Sequence, residues 1–235
     1  MTFALSACRF INGDVAFNIS QIEKAMAEAH GRADIICFGE AFLQGFDAFR
    51  WSYEKDKIMA AAQDGEIFAR LCGLTGKYGI DLLVGYLERE GDRLYSSCAV
   101  IADGKLLHNY RRISIGWKEY TLTDGHYCEG DIASDFQYRG RSFRIALCGD
   151  LWDHPERFKT EGILLWPVYL NFSYDEWQQY ETEYAEQAAL AADKALLINS
   201  VTDSPESIGG AFLLQKGRIT ARLPYGEEGV LYVEV

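Results

Sequence analysis

The chain has 235 residues, of which 49% are hydrophobic and 25% are charged, and its formal net charge is −12. This length and composition are those of one globular domain with a large core. The acidic balance argues against binding to nucleic acid or to an anionic membrane, and no apolar run approaches the roughly 20 residues that span a bilayer.

The first half of the chain alternates strand and helix patterns. Apolar runs predict strands at residues 3–10 and 33–38, and apolar residues at helical spacing predict helices at 18–29 and 64–78. Three more apolar runs, separated by Gly-Asp and Asp-Gly turns, predict consecutive strands at residues 80–87, 94–101 and 105–112.

The second half begins with an irregular stretch at residues 113–137 and then returns to alternation. Strands are predicted at 143–147, 163–168 and 195–199, a long helix at 174–193, and three strands within 210–235. Alternating strands and helices predict a layered α/β fold. In such folds, functional residues gather where strands end and loops begin.

Three predicted strands end in a chemically useful residue. The run ADIICFGE ends in Glu40, LLHNYRR ends in Arg112, and RIALCGD contains Cys148. A thiol with an ordinary pKa of about 8.5 must lose its proton before it attacks a carbonyl. A carboxylate can take that proton, and a cation with a backbone N–H can stabilise the resulting oxyanion. The three residue types together therefore suit acyl transfer.

Each of these residues alone also fits a role without chemistry. Cys148 could be a core thiol, because free cysteines are often buried. Glu40 could end a strand in solvent, and Arg112 with Arg111 could form a surface ion pair. Spacing along the chain does not by itself join the three.

Local sequence joins them. Three segments resemble the signature segments of the nitrilase (carbon–nitrogen hydrolase) superfamily in the expected order: ADIICFGEAFLQGF, NYRRISIGWKE and IALCGDLWDHPE. Weaker likeness extends over nearly the whole chain. The resemblance implies a four-layer α-β-β-α sandwich, a single domain over residues 1–235, a homodimer or higher homo-oligomer, and no metal or organic cofactor.

The resemblance also implies site roles. Glu40 matches the general base and Cys148 the nucleophile, with the Gly149 N–H as an oxyanion donor. Glu119 lies at about the place of a second family glutamate. Trp152 is a candidate wall of an aromatic substrate pocket.

The chain departs from the family at Arg112, where the family has a lysine. A guanidinium is larger and forked, so it does not freely replace an ammonium. We therefore expect Arg112→Lys to keep or raise activity. Lys118, six residues on, is an alternative source of the positive charge.

These residues predict an amidase-type hydrolase that acts on a small-molecule amide or carbamoyl compound. The alternative is a catalytically weakened member, with arginine in place of lysine, that serves binding or assembly. Six cysteines without a CxxC pair, and no recognisable secretory signal, predict reduced thiols in the cytoplasm. The four histidines show no metal-ligand spacing.

Overall fold

The computed structural model describes residues 1–235 as two six-stranded sheets with flanking helices. The first sheet has the order β12-β1-β2-β3-β4-β5, with strands β1 Thr2–Ala7, β2 Ile35–Cys37, β3 Asp81–Glu90, β4 Arg93–Ala102, β5 Lys105–Arg111 and β12 Gly229–Glu234. The second has the order β11-β10-β9-β8-β7-β6, with strands β6 Phe136–Tyr138, β7 Arg141–Ile145, β8 Ile163–Val168, β9 Lys194–Asp203, β10 Glu206–Gln215 and β11 Arg218–Arg222. The helices are α1 Val15–Ala29, α2 Tyr53–Met59, α3 Glu66–Tyr78, α4 Asp150–Asp153 and α5 Tyr174–Ala189, with 3-10 turns at Phe46–Ala48 and Pro155–Phe158.

Strand alternation divides the core into layers. In β1, Phe3 and Leu5 belong to the core cluster between the sheets, whereas Ala4 belongs to the cluster under α1 and α3. Successive side chains of a strand point to opposite faces, and both faces of this strand are covered. The apolar run therefore reads as continuous rather than alternating.

Helices cover both outer faces of the sheet pair. Ile22 of α1 and Leu71 of α3 pack on the first sheet, and Trp177 and Ala185 of α5 pack on the second. The order helix, sheet, sheet, helix is the predicted four-layer α-β-β-α sandwich, so the predicted fold class is confirmed.

Most predicted elements are present with shifted ends, and a few were missed. Helix α2 and the three-residue strand β6, at the end of the irregular stretch 113–137, were not predicted. Strand β9 is twice as long as predicted because it pairs along its length with β10. No helix is long and apolar enough to cross a membrane. The single domain, the homodimer and the cytoplasmic location stay predictions.

The topology brings distant strand ends together. Strand β2 runs parallel to β3, and β4 is antiparallel to both β3 and β5, so β2 and β5 end at the same edge. Glu40 follows β2 and Arg112 follows β5. The Glu40 N–H donates to the Val168 carbonyl at 3.2 Å, which links this edge to the end of β8 in the second sheet.

The contact between the two sheets should dominate stability. Phe143 is fully buried between the sheets, with its ring centroid 5.5 Å from that of Phe3. Phe143→Ala should lower the free energy of unfolding by about 3–5 kcal/mol, because it leaves a cavity in a packed interior. Leu122→Ala, at an exposed side chain, is the control and should change it by about 0.5 kcal/mol or less. Urea unfolding of both variants measures the difference; equal effects would contradict the packing argument.

Candidate active site

Glu40 lies in a tight passage at the end of β2. A Cβ built on Gly85 of the neighbouring β3 would lie 2.5–2.7 Å from backbone atoms of residues 39–41. Only glycine at position 85 lets the chain pass this closely. Ala41, directly after the glutamate, has a φ of 50°, so the backbone turns sharply there. These constraints fix the direction in which the Glu40 side chain leaves the sheet.

The two oxygens of the Glu40 carboxylate have different environments. Oε1 accepts hydrogen bonds from Ser96 Oγ at 3.1 Å and from Arg112 Nη1 at 2.9 Å. Oε2 is buried and has no hydrogen-bond partner within the chain. One oxygen is therefore held in place, while the other is free to accept a proton.

Cys148 lies at a strained turn between β7 and α4. Its φ of 42° is in the left-handed region that a residue with a side chain rarely adopts. Its N–H donates to the Pro167 carbonyl at 3.0 Å, and its own carbonyl accepts from Trp166 Nε1 at 3.0 Å. The backbone on both sides of the thiol is thereby tied to β8. The Sγ lies 3.8 Å from the Tyr169 carbonyl.

The thiol interacts with both charged groups of the site. Burial raises the pKa of Cys148 to about 12, and the negative charge of Glu40 adds to this effect. The positive charge of Arg112 acts in the opposite direction. The thiol is therefore protonated at neutral pH, and its proton must leave when sulfur attacks an electrophile. Glu40, whose charge acts directly on this thiol, is the carboxylate placed to take that proton.

Arg112 is a buried cation. Its side chain is 4% exposed, and its guanidinium forms an ion pair with Glu40. Burial alone would lower the pKa of Arg112, but the negative charges of Glu40 and Asp150 and the hydrogen bond to Glu40 outweigh it and raise the pKa overall. The Nε donates to Ser114 Oγ at 2.7 Å, whereas Nη2 makes no hydrogen bond within the chain.

The Asp150 carboxylate connects the nucleophile turn to the arginine loop. Its Oδ2 accepts from the Leu147 N–H at 2.8 Å and from the Tyr110 hydroxyl at 2.6 Å. Its Oδ1 accepts from the N–H groups of Ile113 and Ser114 at 3.1 and 2.7 Å. Four donors from two chain segments thus meet on one buried side chain.

Gly149 presents a free backbone donor beside the thiol. Its N–H donates no hydrogen bond within the chain, although the neighbouring N–H groups of Cys148 and Asp150 do. The structure thus places four predicted residues at one end of the sheet pair: Glu40, Arg112, Cys148 and Gly149. A proton acceptor, a cation, a thiol and a free N–H are the parts that acyl transfer needs.

Three other predicted site residues lie in the segments that follow Arg112 and Cys148. The Lys118 ammonium is held by Glu129 at 2.8 Å and by the Tyr127 carbonyl at 2.5 Å, so it is not available to Cys148. Glu119 is exposed, and its side chain makes no hydrogen bond or ion pair. Trp152 packs edge-to-face on Tyr184 of α5, with ring centroids 5.1 Å apart. Substrate binding by Lys118, Glu119 and Trp152 stays a prediction.

Two serines of the site were missed by the sequence analysis. Ser96 lies two residues before Cys98 and four before Val100 on β4, so its side chain points to the same face of the strand. The side chains of Cys98 and Val100 lie between the sheets. Period-two alternation along β4 therefore carried a signal for it. Ser114 lies in an irregular loop, where no periodicity could indicate which way its hydroxyl points.

The α-β-β-α sandwich and the residues of the site agree with one protein family. The carbon-nitrogen hydrolase family profile matches residues 4–152, which is more than half of the chain. The chain belongs to the carbon-nitrogen hydrolase family.

An arylacetonitrilase and a nitrilase are similar to this chain at low sequence identity. An arylacetonitrilase from Aspergillus niger is 26% identical over 263 residues, covering 94% of this chain and 76% of that protein. A nitrilase from Pyrococcus abyssi is 26% identical over 145 residues, covering 61% of this chain and 53% of that protein. These identities support the family and leave the substrate open.

Solved structures share the fold over nearly the whole chain. A CN-hydrolase superfamily protein from Xanthomonas campestris, which carries an arsenic adduct in its active site, superposes with a TM-score of 0.82 at 15% identity and covers 99% of this chain and 89% of that one. A mutant amidase from Nesterenkonia sp. AN1, with acrylamide added at its active-site cysteine, gives a TM-score of 0.81 at 18% identity, over 100% of this chain and 93% of that one.

The four hydrogen bonds to Asp150 predict that the protein is destabilised when one oxygen of this carboxylate is replaced. Asp150→Asn keeps the shape but turns an acceptor into an NH₂ group, which leaves two buried donors unpaired. The free energy of unfolding should fall by about 2–4 kcal/mol. Asp153→Asn, at an exposed carboxylate in the same helix, is the matched control and should change it by about 0.5 kcal/mol or less. Denaturant unfolding that gives equal values for both variants would contradict the role of Asp150.

The raised pKa predicts the pH dependence of thiol alkylation. Only the thiolate reacts, so the iodoacetamide rate at Cys148 should rise about tenfold per pH unit from neutral to mildly alkaline pH, without a plateau. Peptide mass spectrometry, with Cys148→Ala to identify labelling of other thiols, measures the rate. A plateau near neutral pH would refute the raised pKa of Cys148.

Proposed function

We propose that the protein hydrolyses a non-peptide carbon–nitrogen bond in a small-molecule amide or carbamoyl compound, through a thioester on Cys148, and releases ammonia or an amine. Membership of the carbon-nitrogen hydrolase family supports the reaction class. The observation that carries the proposal is the Glu40 carboxylate with one free oxygen, next to both the Cys148 thiol and a buried guanidinium.

The first step forms the thioester. As Sγ attacks the amide carbon, its proton passes to Oε2 of Glu40, so the carboxylate becomes neutral while negative charge develops on the substrate oxygen. The free N–H of Gly149 and the free Nη2 of Arg112 donate to this oxyanion, and fixed donors of this kind stabilise it without reorganisation. The proton on Glu40 then moves to the substrate nitrogen, the carbon–nitrogen bond breaks, and ammonia or an amine leaves.

The second step restores the thiol. Glu40, again ionised, takes a proton from a water molecule, whose oxygen attacks the thioester carbon. The carbon–sulfur bond breaks, the acid product leaves, and the sulfur recovers a proton from Glu40. The same carboxylate thus acts as base and acid in each half. A raised thiol pKa suits this cycle, because the sulfur returns to its neutral form after every turnover.

The alternative, a weakened member that serves binding or assembly, follows from Arg112 in place of the usual lysine. Two observations count against it. The guanidinium keeps a donor free of intramolecular bonds, and it remains paired with Glu40. Both observations support a catalytically competent site. A measurement of amide hydrolysis separates the catalytic function from the binding alternative.

An ammonia-release screen over small aliphatic, aromatic and carbamoyl amides tests the proposal. The parent protein should release ammonia from at least one class, and Cys148→Ala and Glu40→Gln should each lower kcat by about 10³-fold or more. Cys128→Ala, at a half-buried thiol outside the site, is the matched control and should keep the parent rate. Added hydroxylamine should capture the acyl group as a hydroxamate. Release that survives Cys148→Ala would refute the proposal, and no release from any amide would favour the binding alternative.

A further inference from the structure

Resting on the proposed function, we propose that Gly149 and Ser114 form a seat for the Arg112 guanidinium, and that both are positioning residues that let an arginine serve as the oxyanion donor. The seat consists of three contacts, one at each nitrogen of the guanidinium. Two are hydrogen bonds, and the third is a close approach that only glycine permits.

Two nitrogens fix the plane of the guanidinium. Nε donates to Ser114 Oγ at 2.7 Å, and Nη1 donates to Glu40 Oε1 at 2.9 Å. The guanidinium is planar and rigid, so two bonds in different directions leave one orientation. Its third nitrogen, Nη2, then points where these two bonds dictate.

Nη2 lies against Gly149. A Cβ built at position 149 would be 2.7 Å from Nη2 and 3.3 Å from Ser114 Oγ. The first distance is shorter than real carbon side chains allow, so any residue other than glycine must displace the guanidinium. The backbone at Gly149 has φ −65° and ψ −11°, ordinary right-handed helical values. Glycine is therefore required at this position for space and not for its backbone freedom.

A side chain at position 149 could not push the guanidinium aside without disturbing its other contacts. Ser114 is fully buried, and its backbone N–H is held by Asp150 at 2.7 Å, so the residue that accepts from Nε has little room to shift. Movement of the guanidinium away from Glu40 would break their buried ion pair, which is costly. Arg112 and Gly149 are consequently interdependent.

The seat reverses the expectation drawn from the family lysine. A lysine at position 112 has no Nε–H for Ser114 and only one terminal nitrogen, which would have to serve both Glu40 and the oxyanion. Arg112→Lys should therefore lower activity in this chain rather than keep or raise it.

A double-mutant cycle on ammonia release tests the seat. Gly149→Ala keeps the backbone N–H but displaces Nη2, so kcat/KM should fall about 100-fold, the effect of losing one oxyanion donor. Arg112→Lys should cost about tenfold, and the double variant should lie within about threefold of Arg112→Lys, because the alanine has room once the guanidinium is gone. Gly116→Ala is the matched control. Its Cβ would lie 3.3 Å from the same Nη2, and its loss should stay below about threefold.

Ser114 gives a second cycle. Ser114→Ala should lower kcat/KM about tenfold in the parent, since Nε loses its acceptor, and should have little effect in Arg112→Lys, which has no Nε–H. Ser114→Thr retains the hydroxyl and should restore most of the loss. Independent, multiplicative losses in either cycle would overturn the seat.

A readout without amide turnover separates this inference from the proposed function. The Arg112 charge favours the thiolate of Cys148, so iodoacetamide labelling at fixed pH should slow in Gly149→Ala and recover in the double variant with Arg112→Lys. Thermal unfolding establishes that each variant is folded. If the parent releases no ammonia from any amide, the proposed function fails while the labelling series still tests the seat. Labelling in Gly149→Ala at the parent rate would overturn the seat even if the parent is an active amidase.

Discussion

The candidate site depends on one buried carboxylate that touches no reacting atom. Asp150 accepts from the backbone just before Cys148 and from the backbone just after Arg112, so it joins a turn of the second sheet to a loop of the first. Such a side chain must be fully hydrogen-bonded, because a buried charge without partners is very unfavourable. That requirement makes the relative position of thiol and guanidinium a condition of folding. Docking of the two sheets and assembly of the site are therefore coupled through this side chain.

The charges of the site are balanced around a single cation. Arg112 faces two carboxylates, Glu40 and Asp150, and a neutral thiol. A buried ion pair contributes little to stability beyond its cost of desolvation, so its value here is in orientation. It holds Oε1 of Glu40 and leaves Oε2 bare. In this arrangement the two oxygens of the Glu40 carboxylate have separate tasks. The three nitrogens of the Arg112 guanidinium also have separate tasks.

Much of the fold, and part of the site, could be predicted from the sequence, for identifiable physical reasons. The strands were predictable because both faces are buried, which produces apolar runs such as the one that ends at Phe38. Glu40 and Cys148 stood out because each interrupts such a run at a strand end. The side-chain directions of Lys118 and Glu119 could not be predicted, because an irregular loop has no period that indicates them. Ser114 was missed for the same reason. The space requirement at Gly149 arises from a contact between segments 37 residues apart, so no local pattern could contain it.

The close approach of Arg112 to Gly149 has a consequence for the history of the chain. In a chain with lysine at position 112 and a side chain at position 149, a change to arginine alone would press Nη2 against that side chain. Glycine at position 149 is compatible with either cation, so a path that gains the glycine before the arginine avoids this clash. Reversion is restricted in the same way, because any side chain later gained at position 149 would be selected against while the arginine persists. The absence of a Cβ at position 149 thus favours one order of substitutions over the other.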